Sequence, residues 1–210
     1  MDKPTIQQLL LAHLSRDLVL NVEELLETGA QRAFGKAKGM NDGHLPSVVG
    51  QLRHFHMNEG FAAALEGSGA FPTPIKGNSL VTGRAGIFQL GRFNLRQGPW
   101  YNARRSAKRR VMAQANAAIE PLVQGGLFDS QKPIATGSVF FVCIFSASLE
   151  HGEKPMSIEI AVPNQHMTDW LFHEPVSLFV QRYNDVAVQD DRAVPMLKTQ
   201  QKTGSNPEGT

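Results

Sequence analysis

From Ser138 to Leu149 the chain reads SVFFVCIFSASL, an almost unbroken apolar run of twelve residues. It is too short to cross a bilayer as a helix, which takes about 18–20 apolar residues. A short run without alternation reads as a central strand covered on both faces. The rest of the chain must therefore supply a sheet and cover for it.

The neighbouring segments fit that demand. Met156, Ile158, Ile160 and Val162 alternate with Ser157, Glu159 and Ala161, which predicts a second strand. EHGEKP (150–155) is then the hairpin loop between the two. Upstream, Ser79–Thr82 and Ile87–Leu95 read as two more strands around the turn GRAG (83–86). Gly91 inside the later strand marks a bulge or a close backbone approach.

Helical periodicity governs the other segments. Residues 4–28 place Ile6, Leu9, Leu10, Leu14, Leu18, Val22, Leu25 and Leu26 at spacings of three and four, with Gly29 as a stop. Gln31–Lys38 reads as a short helix, and GMNDGHLP (39–46) as turn chemistry. Leu45–Leu65 reads as a second long helix burying Val48, Val49, Leu52, Phe55, Phe61 and Leu65. Pro99 opens a long helix to Val123, ended by Gly125–Gly126, with Ala107, Val111, Ala115, Ala118, Ile119 and Leu122 on its apolar face. Asn164 is expected to cap a short helix through Phe172, and Pro175–Asn184 to form a last one.

The expected fold class is α+β: N-terminal helices, a small mostly antiparallel sheet from two hairpins, and a long basic helix packed on the sheet. Residues 1–185 read as a single domain, with a helical part at 1–70 and a sheet-and-helix part at 71–185. The polar stretch 186–210, ending QQKTGSNPEGT, reads as a disordered tail.

Composition closes off several functions. A single cysteine among 210 residues excludes a disulfide framework and a Cys-rich zinc site. Lying inside the apolar run, Cys143 is expected to be an inert core thiol. Gln7, Gln8, His13, Ser15, Arg16 and Asp17 interrupt the N-terminal apolar positions, so no secretory signal is read and the default compartment is cytoplasmic. No membrane partner, cofactor or metal is expected.

The charge distribution is the informative feature. Residues 71–110 hold nine basic side chains and no acid, while the remainder carries 12 basic and 19 acidic residues. Such asymmetry suggests a polyanionic partner. The densest part is RFNLRQGPWYNARRSAKRR (92–110). Bases in the first turns of a helix oppose the macrodipole, at about 0.3–1 kcal/mol each. Arg104 with Lys108 and Arg105 with Arg109 add like-charge pairs at i, i+4. An anion removes both penalties, because free N–H groups and basic side chains then act together.

The candidate nucleic-acid-binding residues are therefore Arg104, Arg105, Lys108, Arg109 and Arg110, assisted by Arg92 and Arg96, with Trp100 and Tyr101 placed to stack on bases. The implied partner is DNA or RNA, held mainly by its phosphates. Helix-turn-helix, zinc-finger, RRM and KH signatures are all missing, so charge and aromatics alone carry this reading.

Two alternatives remain open. The basic helix could pair with an acidic protein or with the acidic surface of a second copy in a homo-oligomer. A metal-dependent nuclease would have to use Glu59, Glu153 or Glu159, but the Glu-x-Lys spacing of a restriction-type core is missing. His54 and His56 differ by two, about 200° apart on a helix, and cannot share a metal from one face. KGNSLVTGRAG (76–86) lacks the helix start of a P-loop and the spacing of a dinucleotide fingerprint, and no GxSxG nucleophile elbow occurs.

Overall fold

The computed structural model describes residues 5–122, 136–149 and 152–187, apart from the side chains of 100–102 and 185–187. It is an α+β fold, with three helices leading into a five-stranded mixed sheet.

The N-terminal apolar stretch makes two helices rather than one, α1 (Ile6–His13) and α2 (Arg16–Ala37). Thr5 and Gln8 form a capping box, with Thr5 Oγ1 accepting from Gln8 N at 3.2 Å and Gln8 Oε1 from Thr5 N at 2.8 Å. Ser15 then caps α2 by accepting from Leu18 N at 3.2 Å. The apolar spacing runs straight through Ser15, so periodicity alone does not reveal the break.

Gly29 does not stop α2, and the helix absorbs the segment expected to form a separate one at 31–38. Its role is close packing against α3 (Leu45–Gly67), the return arm of a helical hairpin. A Cβ on Gly29 would lie 2.8 Å from the His56 carbonyl oxygen, and one on Gly60 would overlap the Leu25 carbonyl. Gly29→Ala and Gly60→Ala should each cost about 1–3 kcal/mol, because backbone has to move. Gly35 faces open space, so Gly35→Ala should stabilise by up to about 1 kcal/mol through helix propensity. Denaturant melts would show this reversal of sign; three equal shifts would contradict the packing argument.

On α3 the buried apolar positions are Val49, Met57, Phe61, Ala64 and Leu65. Val48 and Leu52 are only half-buried, and Phe55, expected inside, is 40% exposed.

The strands are β1 (Gly83–Ala85), β2 (Phe88–Arg96), β3 (Gly137–Phe145), β4 (Ser157–Pro163) and β5 (Trp170–Pro175), adjacent in that order. The apolar run is the central strand, as its composition requires. The sheet is mixed: β2 and β3 are parallel and the other three pairings antiparallel. The first strand falls at 83–85, directly after the expected Ser79–Thr82, and its turn is at Gly86–Ile87.

Strand parity sorts the core into two layers. Phe88, Leu90, Phe141, Cys143, Ile158 and Ile160 face α1–α3. Phe93, Phe140, Val142 and Ala161 face the β2–β3 crossover, where they meet Met112 and Ala113. Burying each large apolar side chain contributes about 1.5–3 kcal/mol. Gly91 serves as a close approach rather than a bulge, with Met112 and Phe140 atoms 3.0–3.1 Å from where its Cβ would lie.

The crossover corrects the expected long basic helix. Trp100–Arg105 is a 3-10 turn, Ser106 is extended, and only Ala107–Gln114 is α-helical (α4). Ser106 ends one element and caps the next, its Oγ accepting from Arg109 N at 3.4 Å. After α4 the chain tightens into 3-10 turns at Ala115–Ala118 and Glu120–Leu122. The inward face shifts by a residue: Met112, Ala113 and Ile119 are buried while Val111 is 64% exposed. Asn116 pins this segment, its Oδ1 accepting from Ser138 N at 2.6 Å and its Nδ2 donating to the Pro163 carbonyl at 2.7 Å. The expected end at Gly125–Gly126 lies outside the described residues.

Residues 164–172 do not form a helix. Asn164 Oδ1 accepts from Thr168 N at 2.9 Å in a tight turn, and Trp170 starts the edge strand β5. The last helix divides into α5 (Val176–Phe179) and α6 (Arg182–Ala187). The expected tail from 188 onward lies outside the described residues. Among the described residues no helix is long and apolar enough to cross a membrane.

Candidate functional site

Beginning with β2, Phe88 and Leu90 point into the α1–α3 layer, and strand parity sends Arg92 the same way. Arg92 is 2% exposed. Its Nε and Nη2 both donate to Asn58 Oδ1, at 3.1 and 2.7 Å. Nη2 also donates to the His54 carbonyl at 2.6 Å, and Nη1 to Asn94 Oδ1 at 3.2 Å. Every acceptor is neutral. Burial lowers the guanidinium to about 10, so it remains charged at neutral pH. The centre of β2 thus holds a solvent-excluded positive charge with no carboxylate bonded to it, a placement that costs several kcal/mol before its hydrogen bonds offset it.

Asn58 holds this arrangement in place from α3. Its Nδ2 donates to the Ser79 carbonyl at 3.1 Å, which joins α3 to the loop before β1. His54, one turn earlier, is held below its usual range by burial first and the Arg92 charge second, while a hydrogen bond with the Asn78 backbone works the other way. The sign of the resulting pH dependence is fixed. Above pH 6.5 the imidazole is neutral folded and unfolded alike; below it the unfolded chain takes up a proton that the folded site resists. Stability should therefore fall as pH drops from 6.5. Melting temperatures at pH 7.5 and 5.5 should differ less for His54→Gln than for the parent, and an equal drop would remove His54 from the effect.

Two further arginines reach into the interior, Arg53 buried and Arg109 half-buried. Arg109, on α4, lies over the Phe93 ring at 4.4 Å, and burial lowers it to about 10. Its Nε is buried with no acceptor. Arg53, on α3, lies over Phe145 at 3.8 Å and donates from Nη2 to the Gly152 carbonyl. Its guanidinium is lowered to about 10 by burial and then by the charge of Arg96.

The remaining candidates lie on the outside. Arg96, Arg104, Arg105, Lys108 and Arg110 are exposed. Lys108 Nζ donates to the Leu80 carbonyl at 2.6 Å, and Arg110 Nη1 to the Arg104 carbonyl at 3.2 Å. Trp100 and Tyr101 open the 3-10 turn that leads to them. Among the described residues, none of the nine bases between 71 and 110 pairs with a carboxylate; the ion pairs formed include Arg32–Glu59, Lys154–Glu27 and Arg182–Glu174. The acids among the described residues therefore do not neutralise this face.

A cleft of about 540 Å³ opens where α3, the 78–80 loop, β2 and the start of α4 meet. His54, Ser79, Arg92, Lys108 and Arg109 line it. A neighbouring depression of about 720 Å³ shares His54 and Asn78 with it and adds Phe55 and Arg96. Among the described residues neither is lined by a carboxylate.

The sequence pattern singles out the bases but not Asn58, Asn78, Ser79 or Arg53. Parity could have exposed Arg92 as an inward residue, since it follows Phe88 and Leu90 at steps of two. The three carboxylates considered for a nuclease are held separately. Glu59 pairs with Arg32 and His56 on the α2–α3 surface, Glu159 accepts from Ser157 Oγ and meets His173 on β4, and Glu153 is exposed before β4. Cys143 is buried and its thiol is pushed up to about 12, leaving it protonated and unreactive at neutral pH. Compared with known proteins, the chain matches no family model, no curated sequence and no solved structure.

Proposed function

We propose that this chain binds nucleic acid with low sequence specificity, through phosphate contacts on the face formed by the 3-10 turn and α4. Arg104, Arg105, Lys108 and Arg110 supply the exposed charges, Arg96 extends them along β2, and Arg109 lies at the cleft edge. Trp100 and Tyr101 are the proposed stacking residues. Arg92 changes role in this reading: it is too buried for a strand to reach and acts as a fixed charge beneath the face. The observation that carries the proposal is the nine acid-free bases that stay unpaired among the described residues.

The test is fluorescence anisotropy with labelled single-stranded DNA, duplex DNA and RNA across a salt series. Affinity should fall linearly on a log–log plot, with about 0.7–0.9 of slope per phosphate contacted. No binding to any of the three at low salt would overturn the proposal.

An acidic protein surface, including that of a second copy, is the second reading. It is favoured by Val111, 64% exposed on the same helix as the bases, which would give such a partner an apolar contact. A complex that forms at low salt and dissociates at high salt, without nucleic acid, would support it.

A further inference from the structure

We infer that the cleft between α3 and α4 is a binding site for a phosphomonoester dianion, carried either by the end of a nucleic-acid strand or by a free mononucleotide. The strand-end form rests on the function proposed above; capture of the phosphate itself does not.

Three formal positive charges, Arg92, Lys108 and Arg109, line one cleft of about 540 Å³, with no carboxylate among the described residues that line it. Arg92 is 2% exposed and bonded to Asn58, His54 and Asn94, so it adds its charge to the site rather than a contact. The Nε of Arg109 is buried without an acceptor. Ser79 lines the same cleft and adds a hydroxyl able to hydrogen-bond a phosphate oxygen. The unused Arg109 Nε beside Lys108, with the buried Arg92 charge beneath them, is what an anion of high charge would complete.

The charge count favours a monoester. An internal phosphodiester carries a single negative charge, whereas a terminal phosphate carries close to two at neutral pH, with a second pKa of about 6. The rest of a nucleotide has somewhere to go. The adjoining depression shares His54 and Asn78, and offers the partly exposed Phe55 ring and Arg96.

The experiment is calorimetric titration of the full chain with inorganic phosphate, adenosine 5′-monophosphate and adenosine. Alongside it, anisotropy compares one single-stranded oligonucleotide bearing either a 5′-phosphate or a 5′-hydroxyl. Inorganic phosphate and the mononucleotide should bind and adenosine should not. Lys108→Gln and Arg109→Gln should each weaken phosphate binding at least about tenfold, the effect of losing one hydrogen bond to a charged group. Lys108 is exposed, so that variant keeps the test valid if Arg109→Gln fails to fold.

A preference of about tenfold or more for the 5′-phosphorylated strand would assign the strand end. Binding of the mononucleotide without that preference would assign the free ligand. If phosphate and mononucleotide fail to bind and the two oligonucleotides bind alike, or if both variants bind phosphate as the parent does, the inference is wrong. Salt-sensitive binding of the hydroxyl oligonucleotide would leave the proposed function standing in that case. Phosphate binding with no oligonucleotide binding would do the reverse.

Discussion

Replacing Arg104, Arg105 and Arg110 together by alanine should weaken single-strand binding by roughly two to three orders of magnitude near 50 mM salt. Each phosphate contact contributes about 0.7 to the salt slope on a single strand. Losing three removes about two units of slope, and that difference accumulates from molar salt down to the assay condition. The fold should not suffer. All three side chains are exposed, and the hydrogen bond from Arg110 to the Arg104 carbonyl is lost with its own donor rather than orphaning a buried group. Stability should stay within about 0.5 kcal/mol of the parent. An unchanged slope in a variant that melts normally would place the nucleic acid elsewhere or nowhere.

The other large effect concerns the buried charge. Asn58→Leu keeps the branched shape in a somewhat larger side chain but takes away the oxygen that Nε and Nη2 of Arg92 share. A charge stripped of its partner in the interior costs about 3–5 kcal/mol, against a total stability of about 5–15 kcal/mol for a typical domain. The variant should be marginal at physiological temperature. Adding Arg92→Met should restore much of the loss, because apolar replacement of a whole buried polar set is often neutral or better. The double-mutant cycle then reads the coupling directly. If the double variant is no more stable than Asn58→Leu alone, the charge is not the source of the cost.

Phosphate titration of the same double variant separates stability from function. A chain refolded by Arg92→Met should be stable yet bind phosphate poorly. That contrast would explain why a costly charge is kept in the centre of a strand.

Much of the architecture is written in local pattern. The central strand follows from twelve residues without alternation, α3 from apolar spacing after a Gly- and Pro-rich turn, and the strand at 157–163 from clean alternation. The failures share a cause. Ser15 redirects the backbone within a stretch whose apolar spacing continues past it, and Ser106 within a segment that Pro99 marks as a helix start, so each break is set by one hydroxyl rather than by a pattern. The edge strand β5 reads WLFHEP, and its half-buried side chains do not alternate as a covered strand would. The parallel pairing of β2 and β3 depends on how the crossover returns, which no local spacing encodes.

At the site, the bases were legible as charge, but their division into buried and exposed was not. Arg92, Arg109 and Arg104 look alike in a count. Only strand parity, the Phe93 ring and the turn at Ser106 assign them different surroundings. Asn58 and Ser79 carried no signal, because a single polar residue in a helix or loop acquires meaning from what it faces.

The parallel pair has a consequence for how the chain reaches its native state. Phe88 and Gly137 lie opposite each other, yet roughly 50 residues separate them, and loop-closure entropy must be overcome before that pairing stabilises anything. The α2–α3 hairpin closes over a short turn and can form first. Until β3 arrives, β2 waits with one edge open, presenting Leu90, Phe93 and Leu95. Open apolar edges are where chains associate wrongly, and an inward-pointing charge in such a strand discourages a stranger from docking there. Arg92 stands midway along β2 and keeps its charge throughout, so a foreign strand would meet a guanidinium whose native partners are Asn58, Asn94 and the α3 backbone.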